Sequence, residues 1–214
     1  MHAESTQNNP AATGQLLIVV APSGAGKTSL VHHLLSARAG VKMSVSTTTR
    51  APRQGEHNGI DYHFTSAEDF IARRDRGEFL EWARVHDNFY GTSKAWIETQ
   101  LSEGTDILLD IDWQGAAQIR ARFPQAVAVF IAPPSMPALR ERLTARGKDA
   151  PEVIERRLAA AQGELAHAKD CQYVIVNQDF AAAAAQLCSI LDALRCSYPR
   201  QRSRHLTLFT ELGM

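Results

Sequence analysis

The chain has 214 residues, 44% of them hydrophobic, enough for one large or two small domains around a substantial buried core. Its 23 basic residues balance 23 acidic ones. No global positive field therefore draws it to nucleic acid or to a membrane surface, and basic clusters count only locally.

Residues 1–14 are polar and rich in Asn, Thr and small side chains, without the basic start and apolar block of a signal peptide. They read as a disordered N-terminus. No apolar run approaches the ~20 residues of a membrane span. Cys171, Cys188 and Cys196 are odd in number and lack metal spacing, which suits a reducing compartment and three buried, inert thiols. The expectation is a soluble cytoplasmic protein with no membrane partner.

The first element is an apolar, β-branched strand over 16–20. It empties into Ala21-Pro22-Ser23-Gly24-Ala25-Gly26-Lys27-Thr28-Ser29, and a helix is predicted over 28–39. This is the strand–loop–helix context of a P-loop. Gly24 and Gly26 free successive backbone N–H groups to cradle phosphate oxygens, and the helix adds its N-terminal positive charge. Lys27 is placed to reach the β- and γ-phosphates, and the Thr28 hydroxyl to meet Mg²⁺. The motif's first glycine is Ala21 here, which works where φ stays negative.

Further strands are predicted over 42–46, 79–85, 107–111, 127–132 and 173–176. Those at 16, 107, 127 and 173 are continuous apolar runs, as for strands covered on both faces. Helices are predicted over 66–76 with a capping-box-like Ser66-x-x-Asp69, then 93–102, 113–122, 137–146, 151–168 and 181–194. The alternation argues for an α/β fold with a parallel sheet flanked by helices. Two segments interrupt it, one dense in Arg, Glu, Asn and Tyr after residue 46, the other helical and Arg-rich after residue 138. Insertions of this kind suit a phosphotransferase that must close over its substrates and expel water. In the tail, Leu206, Leu208 and Phe209 leave open a short packed segment or a contact with a neighbour.

The residues from Val45-Ser46-Thr47-Thr48-Thr49-Arg50-Ala51-Pro52-Arg53-Gln54-Gly55-Glu56 to Asn58-Gly59-Ile60-Asp61-Tyr62-His63-Phe64 resemble the GMP-binding segment of guanylate kinases. The resemblance continues through Glu78-Phe79-Leu80-Glu81-Trp82-Ala83, Tyr90-Gly91-Thr92-Ser93, Leu109-Asp110-Ile111-Asp112-Trp113-Gln114-Gly115 and Ile131-Ala132-Pro133-Pro134-Ser135. Arg156-Arg157-Leu158 and Val174-Ile175-Val176-Asn177 extend it, so that only the termini lie outside. It implies a P-loop core of 15–45, 93–137 and 171–196, a GMP-binding region of 46–92, a lid of 138–170 and a tail of 197–214.

The implied reaction is ATP + GMP ⇌ ADP + GDP, with dGMP as a further acceptor and Mg²⁺ accompanying ATP. Residues 21–29 would hold ATP, with Asn177 near the adenine. Arg50 and Arg53 would clamp the GMP phosphate with their planar forks, aided by the Tyr62 and Tyr90 hydroxyls. Glu81, once ionised, would accept the adjacent N1–H and N2–H₂ of guanine, with Ser46 and Thr92 completing the base pocket. Such a site rejects the wrong base by roughly 10⁴-fold. The family often carries Ser at the position of Thr92, and the hydroxyl is kept.

Asp110 resembles a Walker-B carboxylate holding Mg²⁺ through water, and Asp112 falls on the GMP side, although two acids at a strand end also suit helix capping. Lys27, Arg50, Arg142, Arg146 and Arg157 would neutralise the transferring phosphoryl group, while Arg140 and Arg156 read as solvated. Two other readings compete. A guanylate-kinase-like phosphopeptide module typically loses the P-loop lysine or lid arginines, all present here. A kinase for a phosphorylated ribose has no use for Glu81. Sequence leaves a homo-oligomer open.

Overall fold

A computed structural model of the protein describes residues 14–85, 87–145, 147 and 150–214. Of the disorder expected over residues 1–14, residues 1–13 lie outside the described residues, as does the expected lid arginine Arg146, while Gly14 donates from its N to Leu101 O at 3.0 Å. In chain order, β1 (Leu16–Val20) leads through a loop to α1 (Lys27–Ala37) and β2 (Val41–Met43). Then come β3 (Thr47–Thr48), β4 (His63–Phe64), α2 (Ala67–Asp75), β5 (Phe79–Val85) and β6 (Asn88–Ser93). The chain continues as α3 (Lys94–Ser102), β7 (Asp106–Asp110), α4 (Trp113–Arg122), β8 (Val127–Ala132), α5 (Met136–Ala145) and α6 (Pro151–Leu165). A 3-10 helix over Ala166–Asp170, β9 (Tyr173–Val176), α7 (Phe180–Arg195), α8 (Tyr198–Arg204) and α9 (Leu206–Glu211) complete it.

The main sheet has the order β2-β7-β1-β8-β9, and every pairing in it is parallel. Period-2 alternation splits the central strand between two layers. Leu17 and Val19 pack with Leu30, Val31 and Leu34 of α1 and Leu187 and Leu191 of α7. Leu16, Ile18 and Val20 face Ile97 and Leu101 of α3 and Ile119 of α4. Burial on both faces explains why β1 is apolar throughout. The same expectation fails for β9: Tyr173, Val174 and Val176 are 41–53% exposed, because this strand forms the sheet edge and only Ile175 turns into the core.

The segment after β2 builds a second sheet, β4-β3-β6-β5. The strand expected over 42–46 stops at Met43, and the next pairing belongs to Thr47 and Thr48. The expected capping box at α2 is half realised. Ser66 accepts from Asp69 N at 3.1 Å, but the Asp69 carboxylate accepts from Thr65 Oγ1 at 2.6 Å. Helices α5 and α6 close on their own small core of Leu139, Leu143, Ile154, Leu158 and Ala161. The helix expected to reach residue 168 tightens into the 3-10 turn after Leu165. Of the three thiols expected inside, Cys188 is buried, Cys171 half-buried and Cys196 exposed, the last because it follows α7 on the outer surface.

The tail is helical, with the Phe209 ring against Tyr198 while Leu206 and Leu208 stay exposed. Its attachment is ionic. Asp106, at the start of β7 and 1% exposed, accepts from Arg195 Nε at 2.7 Å, from Gln15 N at 2.8 Å and from Arg200 Nη2. Removing one member of a buried ionic cluster leaves the others uncompensated. Asp106→Ala should therefore lower unfolding free energy by about 3–5 kcal/mol in urea titration, and a loss below 1 kcal/mol would mean that the tail is held otherwise.

Candidate active site

Parallel pairing aligns strand ends. Val19 of β1 lies beside Asp110 of β7, Val20 beside Phe130 of β8, and Ala132 beside Val176 of β9. The loops after these strands consequently open on one edge of the sheet, where α/β folds bind ligands.

The loop after β1 turns with Gly24 at φ 93° and Gly26 at φ 97°, the left-handed region glycine tolerates. Among the described residues Asp87 is the one non-glycine with positive φ, so Ala21 occupies its off-motif position without strain. Gly26 caps α1, whose first turn begins with Lys27, Thr28 and Ser29. Thr28 and Ser29 are exposed beside the loop. Lys27 Nζ forms an ion pair with Asp110 and donates to Ile111 O at 3.4 Å. A cation aimed at the loop mouth thus rests on the carboxylate at the end of β7.

A cleft of about 190 Å³ adjoins this pair, lined by Lys27, Ser46, Tyr62, Glu81, Ala83, Val85, Tyr90, Asp110, Ile111 and Asp112. Seven of these ten are sequence-predicted site residues, and the second sheet brings four of them there from three separated segments. Glu81 pairs across β5 and β6 with Thr92, whose Oγ1 donates to Glu81 Oε1 at 2.6 Å. Only 3% of Glu81 is exposed. Desolvation pushes its pKa up to about 7; the Thr92 hydrogen bond opposes the rise and the Asp112 charge adds to it. Asp112 lines the cleft and also caps α4 as the helix-capping alternative expected, accepting from Gly115 N at 2.9 Å.

Arg50 donates to both oxygens of Glu56 at 2.8 and 2.9 Å and lies 5.3 Å from the Tyr62 ring centre. The Arg50 hydrogen bond, seconded by Arg53 N, lowers the Glu56 pKa. Arg53 itself is exposed. Tyr62 and Tyr90 meet with ring centres 6.0 Å apart, and burial followed by the Tyr90 field raises the Tyr62 pKa. On the opposite side, Arg157 and Ser23 share a hollow of about 450 Å³ with Arg156, which the sequence reading set apart as solvated; exposed as it is, it lines the same hollow. Arg140 is exposed and paired with Glu155. Arg142 reaches the loop from α5, donating to Asn177 O at 2.8 Å and Ala25 O at 3.4 Å. Asn177, just past β9, donates from Nδ2 to Ala25 O at 2.7 Å.

Sequence reasoning missed two supporting residues. Glu56 holds the Arg50 guanidinium, and its place six positions after Arg50 is the available signal. Gly115 packs against the Glu81 carboxylate, where an added Cβ would come within 2.6 Å of Oε2. Only its place in a motif hinted at this.

Fold and site together define an α/β P-loop nucleotide-binding protein with a second polar cleft beside the loop. Comparison with known proteins narrows the class. A sequence profile described as guanylate kinase matches residues 13–194. A guanylate kinase of Cupriavidus metallidurans is 55% identical over 201 residues, covering 94% of this chain and 93% of its own. One of Paraburkholderia xenovorans is 50% identical over 216 residues, covering 100% and 96%. A crystal structure of guanylate kinase from Anaplasma phagocytophilum superposes with a TM-score of 0.74 at 36% identity, covering 87% of this chain and 89% of that one. The chain belongs to the guanylate kinase family.

The Thr92 hydrogen bond holds the Glu81 pKa down, so Thr92→Val should move it above about 7, as read by carboxyl carbon NMR. A carboxyl pKa raised on folding removes stability as pH climbs from the unfolded value through the folded one. Thr92→Val should therefore lose about 1–2 kcal/mol of stability at pH 8 and less at pH 5. Equal losses at the two pH values would contradict this coupling.

Proposed function

We propose that this protein transfers the γ-phosphoryl group of ATP to GMP, giving ADP and GDP. One observation carries the reading: a buried carboxyl with a hydroxyl partner, Glu81 with Thr92, faces a cleft that shares Lys27 and Asp110 with the P-loop. A donor triphosphate on the loop and a guanine on Glu81 would place the acceptor phosphate between them. The names carried by the relatives agree with this assignment.

Each residue then has a physical task. The loop from Ala21 to Ser29 wraps the donor phosphates with N–H groups, and Lys27 exchanges Asp110 for phosphate oxygens. Arg50, already oriented by Glu56, and Arg53 grip the acceptor phosphate together with Tyr62 and Tyr90. Ser46 and Thr92 flank the base that Glu81 reads. Arg142 and Arg157 close from the lid over the phosphates, and Arg146 is assigned with them from its place in the sequence. The attacking phosphate is already anionic, so alignment and charge neutralisation suffice, without a general base. The residues assigned to the acceptor meet phosphate and base, so dGMP is a second acceptor.

Thr28 and Asp110 offer hard oxygen donors at the loop mouth, a set that fits Mg²⁺, which takes one or two protein oxygens and leaves the rest to phosphates and water. Among the described residues no cluster of three acidic, His or Cys groups exists that would demand another metal. When bound, the ion supplies neutralisation of phosphate charge. A cytoplasmic location, where both nucleotides are available, suits this activity. Among the described residues no helix is long and apolar enough to cross a membrane.

Coupled ADP-release assays across GMP, dGMP, AMP and UMP should give turnover with the two guanine nucleotides alone; AMP turning over as well as GMP would end the guanine assignment. Because guanine needs the Glu81 carboxylate, GMP affinity should weaken below about pH 7, approaching tenfold per pH unit. The GMP phosphate also titrates, so Glu81→Gln supplies the control: its weaker binding should show only that smaller slope. Lys27→Ala should lower kcat by about 10²–10³-fold while calorimetry finds GMP affinity unchanged, and a parallel loss of GMP binding would contradict separate donor and acceptor sites.

A further inference from the structure

We propose that Asn177 is a positioning residue for the phosphate-binding loop, holding the Ala25 carbonyl turned out of the cradle. The inference rests on the loop's proposed role with nucleotide phosphates.

Three observations converge on it. Asn177 is only 5% exposed, so its side chain is held within the structure rather than free in solvent. Its Nδ2 donates to Ala25 O at 2.7 Å, and its own backbone is fixed because Asn177 N donates to Ala132 O of β8 at 2.8 Å. The carboxamide also packs against the next residue of the loop: a Cβ on Gly26 would lie 2.3 Å from Nδ2. One side chain from the sheet edge therefore touches two consecutive loop residues.

The consequence follows from peptide geometry. In a trans peptide the carbonyl and the following N–H point in opposite directions. Fixing Ala25 O toward Asn177 fixes the Gly26 N–H away from it, on the side where the loop would receive phosphate. A glycine at positive φ has the freedom to lose this orientation, because such a peptide rotates at little steric penalty. Arg142 reinforces the arrangement by donating to Asn177 O and Ala25 O, which ties the first lid helix to the same peptide. A preorganised donor set loses no free energy to reordering when phosphate arrives.

The two roles for Asn177 separate cleanly when the base is removed from the ligand. Calorimetric titration of inorganic tripolyphosphate, ATP, GTP and GMP into the full-length wild type, Asn177→Ala and Asn177→Leu distinguishes them. Tripolyphosphate, ATP and GTP should all weaken by a common factor of about two- to tenfold, the value of one lost hydrogen bond, with GMP affinity kept. Retained GMP affinity also reports an intact fold. Asn177→Leu keeps the side-chain volume, so the comparison survives if the alanine variant is unstable. A loss confined to ATP would instead make Asn177 a base contact. Losses below twofold in both variants, or an equal loss for GMP, would likewise overturn the proposal. Should the wild type fail to phosphorylate GMP, the proposed activity falls, while tripolyphosphate binding still decides the role of Asn177.

Discussion

The parallel pairing of β7, β1, β8 and β9 is the constraint on which the site depends. Their register brings Asp110, Val20, Ala132 and Val176 to one edge. The residues that follow then gather there: the glycine-bearing loop after β1, Asp112 after β7, helices α5 and α6 after β8 and Asn177 after β9. A slip of two residues in the β1–β7 pairing would carry Asp110 about 7 Å from Lys27 and undo their ion pair. Such a slip is resisted by burial on both faces, since Leu16 to Val20 are all inside and any shift would leave facing side chains mismatched. Precision at the mouth is thus a product of hydrophobic packing below it.

The other half of the cleft follows a different logic. Glu81 is buried with a single hydroxyl partner and the field of Asp112 nearby, an arrangement that disfavours its charge. A buried carboxyl whose pKa is raised to about 7 is easily protonated, which moderates its desolvation penalty; the two N–H donors of the proposed guanine would stabilise its charged form. On the proposed reading the same poise would give selectivity, because a ligand edge with an acceptor at that place would meet either repulsion or an unpaired buried group. Gly115 makes the arrangement possible by leaving room for Oε2 at the start of α4.

How much of this was legible in the sequence depended on length and on partners. β1, β5, β8 and β9 appear with their predicted bounds because each is a run of four or more residues with a clear apolar signal. Thr47–Thr48 and His63–Phe64 are strands of two residues defined only by pairing, β3 with β6 and β4 with β3, and no local pattern announces them. β9 showed its identity but concealed its edge position, since an apolar run reads alike at the centre and the rim. Among site residues, Glu81 was legible through its motif, while its 3% exposure required the second sheet. The carboxamide of Asn177 and the acid of Glu56 acquire their partners only when the chain folds back.

The cations of the two clefts share one further property. Lys27 rests on Asp110, Arg50 on Glu56, and Arg142 on two backbone carbonyls. An array of positive groups converging on a phosphate site would repel itself when empty and lose hydration besides. Internal acceptors remove both penalties and hold each long side chain near its working place, which reduces the entropy lost on binding. The compensation has a limit, because a partner that held the cation too well would compete with phosphate. Asp110 and Glu56 each carry one charge, and their side chains are 29% and 19% exposed, so solvent screens both pairs and weakens them. A polyanionic ligand with several charges and charge-assisted hydrogen bonds outbids such pairs. If the loop and Arg50 bind phosphate as proposed, these ion pairs would act as preorganisation for it, and the acids in them would belong to the site as much as the bases do.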